Sequence, residues 1–433
     1  MAEIKPFRAW RYNTSFEREI ESLTSPLFDV VSDKQRQTLY KNPVNSIHLS
    51  VPLGHSPAEA AARTMAQWKS DGTLVQDALP AIYVYYQYFR VSGSSQTYCR
   101  KGFICHIRAY DWDEKVILRH ENTIPHAVND RIELLEKTQL HVSPTHGLYS
   151  DPTFELERYM DEAIANPLYE TEDYQGVRDV LAVIHDARVV RTFMDHMANK
   201  TVILADGHHR YESSLAVKHR RQKEGPTTGK EGFNYHLMFL SNMESDDLRI
   251  LPTHRLIQGL DDFSEEKVLR KLAPFFTIKP IEDPDTLYEI ILGKPWAFGM
   301  VFKDNSYKVR LNPDAFLDFH WPFPDEIKRL DLTVMHYFII ERALGIPGKE
   351  QRQSPHIRFD RSFSDCLTKV QREEVQLAII TQDVAIEDVK RVCLSGYTMP
   401  QKSTYFYPKI ICGFLFSSIR EEEFAMPAYS PFV

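Results

Sequence analysis

TVILADGHHRYESS, residues 201–214, runs from an apolar stretch straight into aspartate, glycine, two histidines and an arginine. The β-branched and apolar residues of TVILA read as a buried strand. Asp-Gly reads as a tight turn. The residues after it predict a helix to about Glu224, ended by Gly225-Pro226 where a C-terminal glycine followed by proline belongs. A strand, a turn and a helix in this order make a candidate anion site. The positive end of the helix dipole points at the turn, glycine lets a phosphate approach the backbone, and Arg210 supplies a charged fork. Asp206, Gly207, His208, His209 and Arg210 are therefore candidate nucleotide-binding residues. Asp206 is placed to cap the helix, and its carboxylate is also a candidate magnesium ligand or proton acceptor. Two other readings stand beside this one. A capped helix whose histidines satisfy buried carbonyls explains the same residues, and His208 and Glu212, four apart, share a helix face as a metal pair does, without a third ligand at a diagnostic spacing.

Working outward, VLAVIHD, VRTFMDHMAN and NYHLMFLSN extend the alternation as strand, helix and strand. Upstream, SPAEAAARTMAQWKS (56–70) predicts a helix with serine before proline at its start. AIYVYYQYFRV (81–91) and GFICHIRAYDW (102–112) predict two paired strands, joined through SGSSQTYCRK, whose Arg100 and Lys101 face either a ligand or water. Downstream, DEIKRLDLTVMHYFIIERALG reads as one helix, VQLAIIT as a strand, VAIEDVKRVCLSG as a helix and TYFYPKIICGFLF as a strand. The expected fold class is α/β (α+β) with mixed-sheet modules. A boundary near residue 260 divides an expected nucleotide-binding region, 1–260, from a second α/β region, 261–433.

The chain has 433 residues, enough for more than one packed module. Its net charge of -8 argues against a broadly basic nucleic-acid surface, and VKHRRQK (217–223) reads as a solvated helix face. Five scattered cysteines without a Cys-x-x-Cys pair read as reduced core thiols rather than a disulfide framework or a zinc site. The charged, proline-containing start lacks the apolar core of a signal peptide, and no stretch reaches the length of a membrane span, so the expectation is a cytoplasmic protein with no membrane partner.

Further candidates are dispersed. Asp29 in PLFDVVSD either orients a substrate and accepts a hydroxyl proton or closes an Asx-type turn. Glu121 in RHENT is a second candidate base, or a surface charge at a strand end. Asp130 and Arg131 pair with one another on the simplest reading. Lys402, Ser403 and Thr404 in MPQKST offer a cation and two hydroxyls to a phosphate, although neither this loop nor TTGKEG has the glycine spacing of a Walker loop. Tyr405 is a candidate platform for a nucleobase, against the alternative that the Tyr405–Tyr407 stripe is core.

DGHHRYE, with PFRAW (6–10), HENT (120–123), NDR (129–131), LPTHR (251–255) and MPQKSTYFYPK (399–409), resembles a widespread bacterial and archaeal family known only as a domain of unknown function. The family's usual Pro-Pro-Tyr-Asp is altered here to Pro-Leu-Phe-Asp, with Asp29 retained. The strand-turn-helix also resembles the nucleotide-binding turn of the ParB and sulfiredoxin superfamily, which includes an ADP-dependent free serine kinase. That resemblance implies ATP or ADP with magnesium as cofactors, phosphates at Gly207, His208, His209 and Arg210, and phosphoryl transfer to a small hydroxylated metabolite such as serine. Asp29, Glu121 and His208 are the candidate catalytic residues, and Lys402 is expected to fold toward the DGHHR turn. His208 stands where sulfiredoxin has cysteine, so peroxiredoxin repair is not implied. No helix-turn-helix of the ParB kind is evident, so no nucleic-acid partner is expected. A nucleotide-gated regulatory module without turnover and a phosphohydrolase such as a phosphoserine phosphatase are the alternatives.

Overall fold

A computed structural model describes residues 1–91, 95–399 and 402–426. Residues 92–94, the first three of SGSSQTYCRK, residues 400 and 401 of MPQKST, and residues 427–433 lie outside the described residues. The chain divides into two compact units. The first comprises Met1–Arg119, Thr123–Leu248 and Pro408–Val433, and the second His120–Asn122 and Arg249–Tyr407. Both are mixed α and β, as the sequence predicts.

Among the described residues the first unit is built on a nine-stranded sheet. Ile82–Phe89 pairs antiparallel with Tyr98–Arg108, Tyr83 opposite Ile104. Tyr235–Asn242 pairs antiparallel with Tyr98–Arg108 on its other side and parallel with Thr145–Tyr149. Val202–Asp206 lies antiparallel to Thr145–Tyr149 and parallel to Ile117–Arg119, so the sheet is mixed in direction. Both faces are covered. Tyr83, Tyr85, Ile104 and Phe239 enter one core with Trp68 of the Pro57–Ser70 helix, whereas Ile82, Val84, Phe103 and Met238 enter another with Phe193 and Leu215. Burial on both faces explains why these strands read as almost continuous apolar runs rather than alternating ones.

In the second unit, the described residues form a six-stranded sheet whose paired neighbours run antiparallel. His254–Ile257 pairs with Ile357–Asp360 on one side and Leu377–Ile380 on the other. Ile257, Phe298 and Ile379 feed one core and Leu256, Ala297 and Ile380 the other.

Two elements depart from the sequence reading. The expected single helix over DEIKRLDLTVMHYFIIERALG is interrupted, because Leu330 adopts extended backbone between Asp325–Lys328 and Asp331–Val334. The stretch then widens into a π-helix over Met335–Ala343, where the Leu344 N–H reaches the Ile339 carbonyl five residues back. The expected strand TYFYPKIICGFLF is a strand only at Tyr405–Tyr407, paired with Arg249–Leu251. Pro408 has no N–H to continue a ladder. The residues after it belong to the first unit, where Cys412 bridges Ser25 and Phe416 bridges Trp10.

Candidate anion site at the Asp206–Arg210 turn

The site grows from the end of the Val202–Asp206 strand. Gly207 takes a left-handed conformation, φ 91°, and heads the helix His208–Glu224. A Cβ at Gly207 would come within 2.6 Å of Thr145 Cγ2 and 2.9 Å of Arg210 Nη2, so both the turn and the packing require glycine. Asp206 does not cap the helix as expected. Its Oδ1 accepts from Lys409 Nζ and its Oδ2 from Arg210 Nη2 at 3.0 Å. Burial alone would raise this carboxyl, but the two cations outweigh it and hold it well below the usual carboxylate range.

Arg210 is buried and is itself anchored. Nη1 donates to Ser143 Oγ at 2.9 Å and to the Pro144 carbonyl at 2.6 Å. Its fork holds the strand end together, and what it presents to the turn is charge. Arg210, Lys409 and Asp206 leave one positive charge in excess beside the positive end of a 17-residue helix. That combination favours an anion.

The histidines serve this architecture. His208 is buried, and the Ile124 N–H donates to His209 Nε2 at 3.0 Å. A ring nitrogen that accepts from an amide carries no proton, so His209 is in the tautomer protonated at Nδ1. Glu212, read as a metal partner of His208, accepts from Trp112 Nε1 at 2.8 Å instead. Among the described residues no group of three or more His, Cys, Asp or Glu side chains is arranged to hold a metal. Asp206, with both oxygens engaged by cations, does not fit a protein-held magnesium.

Lys409 is the residue that the candidate set missed, although it ends the MPQKSTYFYPK motif. It is positioned by a polar network built from residues on three strands of the sheet. Gln87 Nε2 donates to the Lys409 carbonyl at 3.0 Å and to Asp179 Oδ1 at 2.7 Å, and Arg100 donates to Gln87 Oε1 and to the Pro408 carbonyl. Arg100 is thus a buried strut rather than a ligand-facing loop residue, and Lys101 pairs with Asp161 at 2.7 Å. Tyr85 also donates to Asp179, whose burial pushes its pKa up to about 7.

Asp29 is exposed and belongs to the same unit. Burial raises the pKa of the Cys412 thiol to about 11, and Arg210, Asp29 and Arg131 all act on that thiol electrostatically. Asp29 and Arg210 therefore each lie within electrostatic reach of the Cys412 thiol. Arg131 pairs with Asp130 at 2.8 Å, donates to the Ser50 carbonyl and stacks over Phe28, the neighbour of Asp29.

The remaining candidates lie in the second unit. Glu121 Oε1 accepts the Ser403 N–H at 3.1 Å and the Thr404 N–H at 3.4 Å, and His120 Nε2 bonds Thr404 Oγ1 at 2.7 Å. Glu121 thus organises the Ser403–Thr404 backbone, preceded by Lys402 at φ 57°. Tyr405 is buried with the Arg361 guanidinium 3.5 Å from its ring centroid, so one face of the ring is already covered. Cys105, Cys366, Cys393 and Cys412 are buried and Cys99 half-buried, all as free thiols. No helix among the described residues is long and apolar enough to cross a membrane.

A family described as protein of unknown function (DUF1015) matches residues 4–333. The chain belongs to that family. The curated proteins give no match. Among solved structures, a conserved hypothetical protein from Pyrococcus furiosus is 12% identical with a TM-score of 0.34, covering 74% of this chain and 97% of that one. A free serine kinase in complex with AMP is 13% identical with a TM-score of 0.34, covering 74% and 93%. SbnI from Staphylococcus aureus, truncated at its C-terminus, is 11% identical with a TM-score of 0.35, covering 71% and 85%. TM-scores this low carry no argument about function, which rests here on the chain's own residues.

Proposed function

We propose that the first unit binds the phosphates of ADP or ATP at the Asp206–Arg210 turn and transfers a phosphoryl group to a small hydroxylated metabolite, with serine the first to test. The observation that carries this reading is the left-handed Gly207 turn at the head of a 17-residue helix, beside two cations that a single carboxylate holds in place. The likeness of DGHHR to the nucleotide turn of the ParB and sulfiredoxin superfamily supports it. Phosphoryl transfer needs positioning and charge neutralisation more than covalent chemistry.

In the proposed step the serine hydroxyl oxygen forms a bond to the terminal phosphorus, and the bond from that phosphorus to its bridging oxygen breaks. Asp29 takes the hydroxyl proton. AMP leaves from ADP, or ADP from ATP. Lys409 and the helix N-terminus stabilise charge on the phosphates, while Arg210 and Asp206 keep Lys409 in place. Magnesium, which the superfamily likeness implies, has no protein-held site at Asp206, and no step is assigned to it.

The test follows phosphoserine, AMP and ADP on incubation of the purified chain with L-serine and ADP or ATP in magnesium-containing buffer, beside thermal melts with nucleotide alone. Nucleotide is expected to raise the melting temperature by a few degrees, as a ligand selective for the native state does. Gly207→Ala is expected to remove that shift, and Asp29→Asn to keep it while losing turnover. Glu121→Gln is run beside them as the rival base. A parent protein whose melting temperature ignores both nucleotides would overturn the site. Binding without turnover would leave a nucleotide-gated regulatory module, and release of phosphate from phosphoserine without nucleotide a phosphohydrolase.

A further inference from the structure

The six-stranded sheet of the second unit ends in the strand Phe276–Ile281, which pairs antiparallel with Ser306–Leu311, itself paired with Ala297–Val301. Alternation along these strands sends Phe276, Ile278, Val309 and Leu311 into one core. The opposite face is apolar and covered where Ala297, Val301 and Ile380 pack with Leu287 and Ile291. Toward the sheet edge that same face turns cationic. Lys279 stands directly opposite Lys308, and Thr277 opposite Arg310. Lys279 and Arg310 are exposed and Lys308 is half-buried.

Lys294 joins them from the turn before Ala297–Val301. Its Nζ donates to the Ile290 carbonyl at 2.7 Å, and its side chain reaches that of Lys308. Arg310 Nε donates to the Pro295 carbonyl at 3.3 Å, which ties it to the same turn. Burial, followed by the charges of Lys294, Arg310 and Lys279, lowers the Lys308 pKa below its ordinary value. Among the described residues none of these four cations stands in an ion pair. Like charges directly opposite one another on a sheet are destabilising. Their concentration here, in a chain of net charge -8, works against the fold. Protection of the sheet edge from pairing does not account for it. Lysine on an edge strand serves that purpose, but Pro280 already removes an N–H from the edge, and Lys294 and Lys308 lie off the edge strand.

We propose that this face binds a small molecule carrying several closely spaced phosphate groups, held by Lys279, Lys294, Lys308 and Arg310. Strand spacing sets Lys279 and Lys308 about 5 Å apart at the backbone, and Lys308 and Arg310 follow each other on one face about 7 Å apart, so a compact polyanion meets them together. A long polyanion also meets the rest of a negatively charged chain, and a short one does not. Lysine binds phosphate as a point charge, without the fixed fork of arginine. The site is independent of the phosphoryl-transfer reading, since its residues belong to the second unit and the Asp206–Arg210 turn to the first.

The test is calorimetric titration of the full chain with inorganic tripolyphosphate, beside orthophosphate and a single-stranded oligothymidylate. Tripolyphosphate is expected to bind at least roughly tenfold more tightly than orthophosphate, with an affinity that falls as salt is raised. The double variant Lys279→Gln, Lys308→Gln is expected to weaken that binding by roughly tenfold or more, because charge-assisted bonds are lost. Without ligand the same variant melts no lower than the parent, since the opposed like charges are gone. Lys409→Met retains the binding that the double variant loses, which separates this site from the first-unit turn. Equal affinity for tripolyphosphate in the parent and the double variant, or no binding to the parent, would overturn the proposal. Oligothymidylate binding more tightly than tripolyphosphate, and lost in the double variant, would overturn it in favour of a nucleic acid.

Discussion

Two buried clusters, one in each unit, complete their polar side chains to different degrees. Around Asp206 in the first, the carboxylate has a partner on each oxygen and Arg210 spends both terminal nitrogens on protein acceptors, leaving only its Nε without one among the described residues. In the second, Arg255 is fully buried and donates from Nη1 to the Thr253 carbonyl, while Nε and Nη2 have no hydrogen-bond partner among the described residues. His336 and Thr333 are incomplete as well. A satisfied group is a scaffold that displays its excess charge at the surface. An incomplete group in an apolar setting is strained against its own desolvation unless something else completes it.

The contrast is broken or upheld first at Asp206. Asp206→Ala leaves Lys409 and Arg210 without their carboxylate, and removing one partner from a buried ion pair typically costs about 3–5 kcal/mol. A loss of that order is expected in urea denaturation. Arg255→Met removes a buried charge that Glu121 acts on electrostatically but that forms no ion pair among the described residues, so a change within about 1 kcal/mol, of either sign, is expected. Equal losses in the two variants would show that Arg255 is as well paired as Asp206 and would erase the comparison.

Asp179 sharpens it from within the first unit, because its Oδ1 accepts from Tyr85 and Gln87 whereas Oδ2 has no partner among the described residues. Burial raises its folded-state pKa to about 7. A carboxyl raised in this way is stabilising while protonated. That contribution is fully present below the unfolded value of about 4 and is lost as pH climbs through about 7. Parent stability is therefore expected to fall by on the order of 4 kcal/mol over this window from Asp179. Asp179→Asn, which cannot ionise, should flatten that part of a pH series of urea melts. Superimposable pH profiles for the two proteins would remove Asp179 as their source.

How far the sequence foretold these clusters depends on how local their causes are. The strand-turn-helix at 201–224 was legible because strand, turn glycine and helix stop each leave a mark within a few residues. The paired strands around 81–112 were legible from β-branched and aromatic density. The role of Asp206 was not, since its cations include Lys409, 203 residues away in sequence. Separation along the chain also hid the Gln87–Asp179–Arg100 network, since Gln87 and Asp179 are 92 residues apart and the Pro408 carbonyl that Arg100 reaches is 308 residues away. The helix over 325–345 was misjudged for another reason. Its apolar residues are periodic enough for a continuous helix, but the break at Leu330 and the π widening answer to tertiary packing. Glu121 could not be told from a free base, because the amides that it accepts lie some 280 residues further on.

The smallest effect is expected at Thr333, and it tests the second unit most cleanly. Valine has nearly the shape of threonine, so Thr333→Val removes a hydroxyl without opening a cavity or disturbing the His336–Gln351 bond. If the hydroxyl were paired, its loss would cost about 1 kcal/mol and strand its acceptor. With Oγ1 unpartnered in a residue 1% exposed, the folded protein instead sheds a desolvated polar group, and a gain of up to about 1 kcal/mol is expected in urea melts. A variant less stable than the parent would mean that Thr333 already has a partner, and the contrast between a completed cluster and an incomplete one would lose its second member.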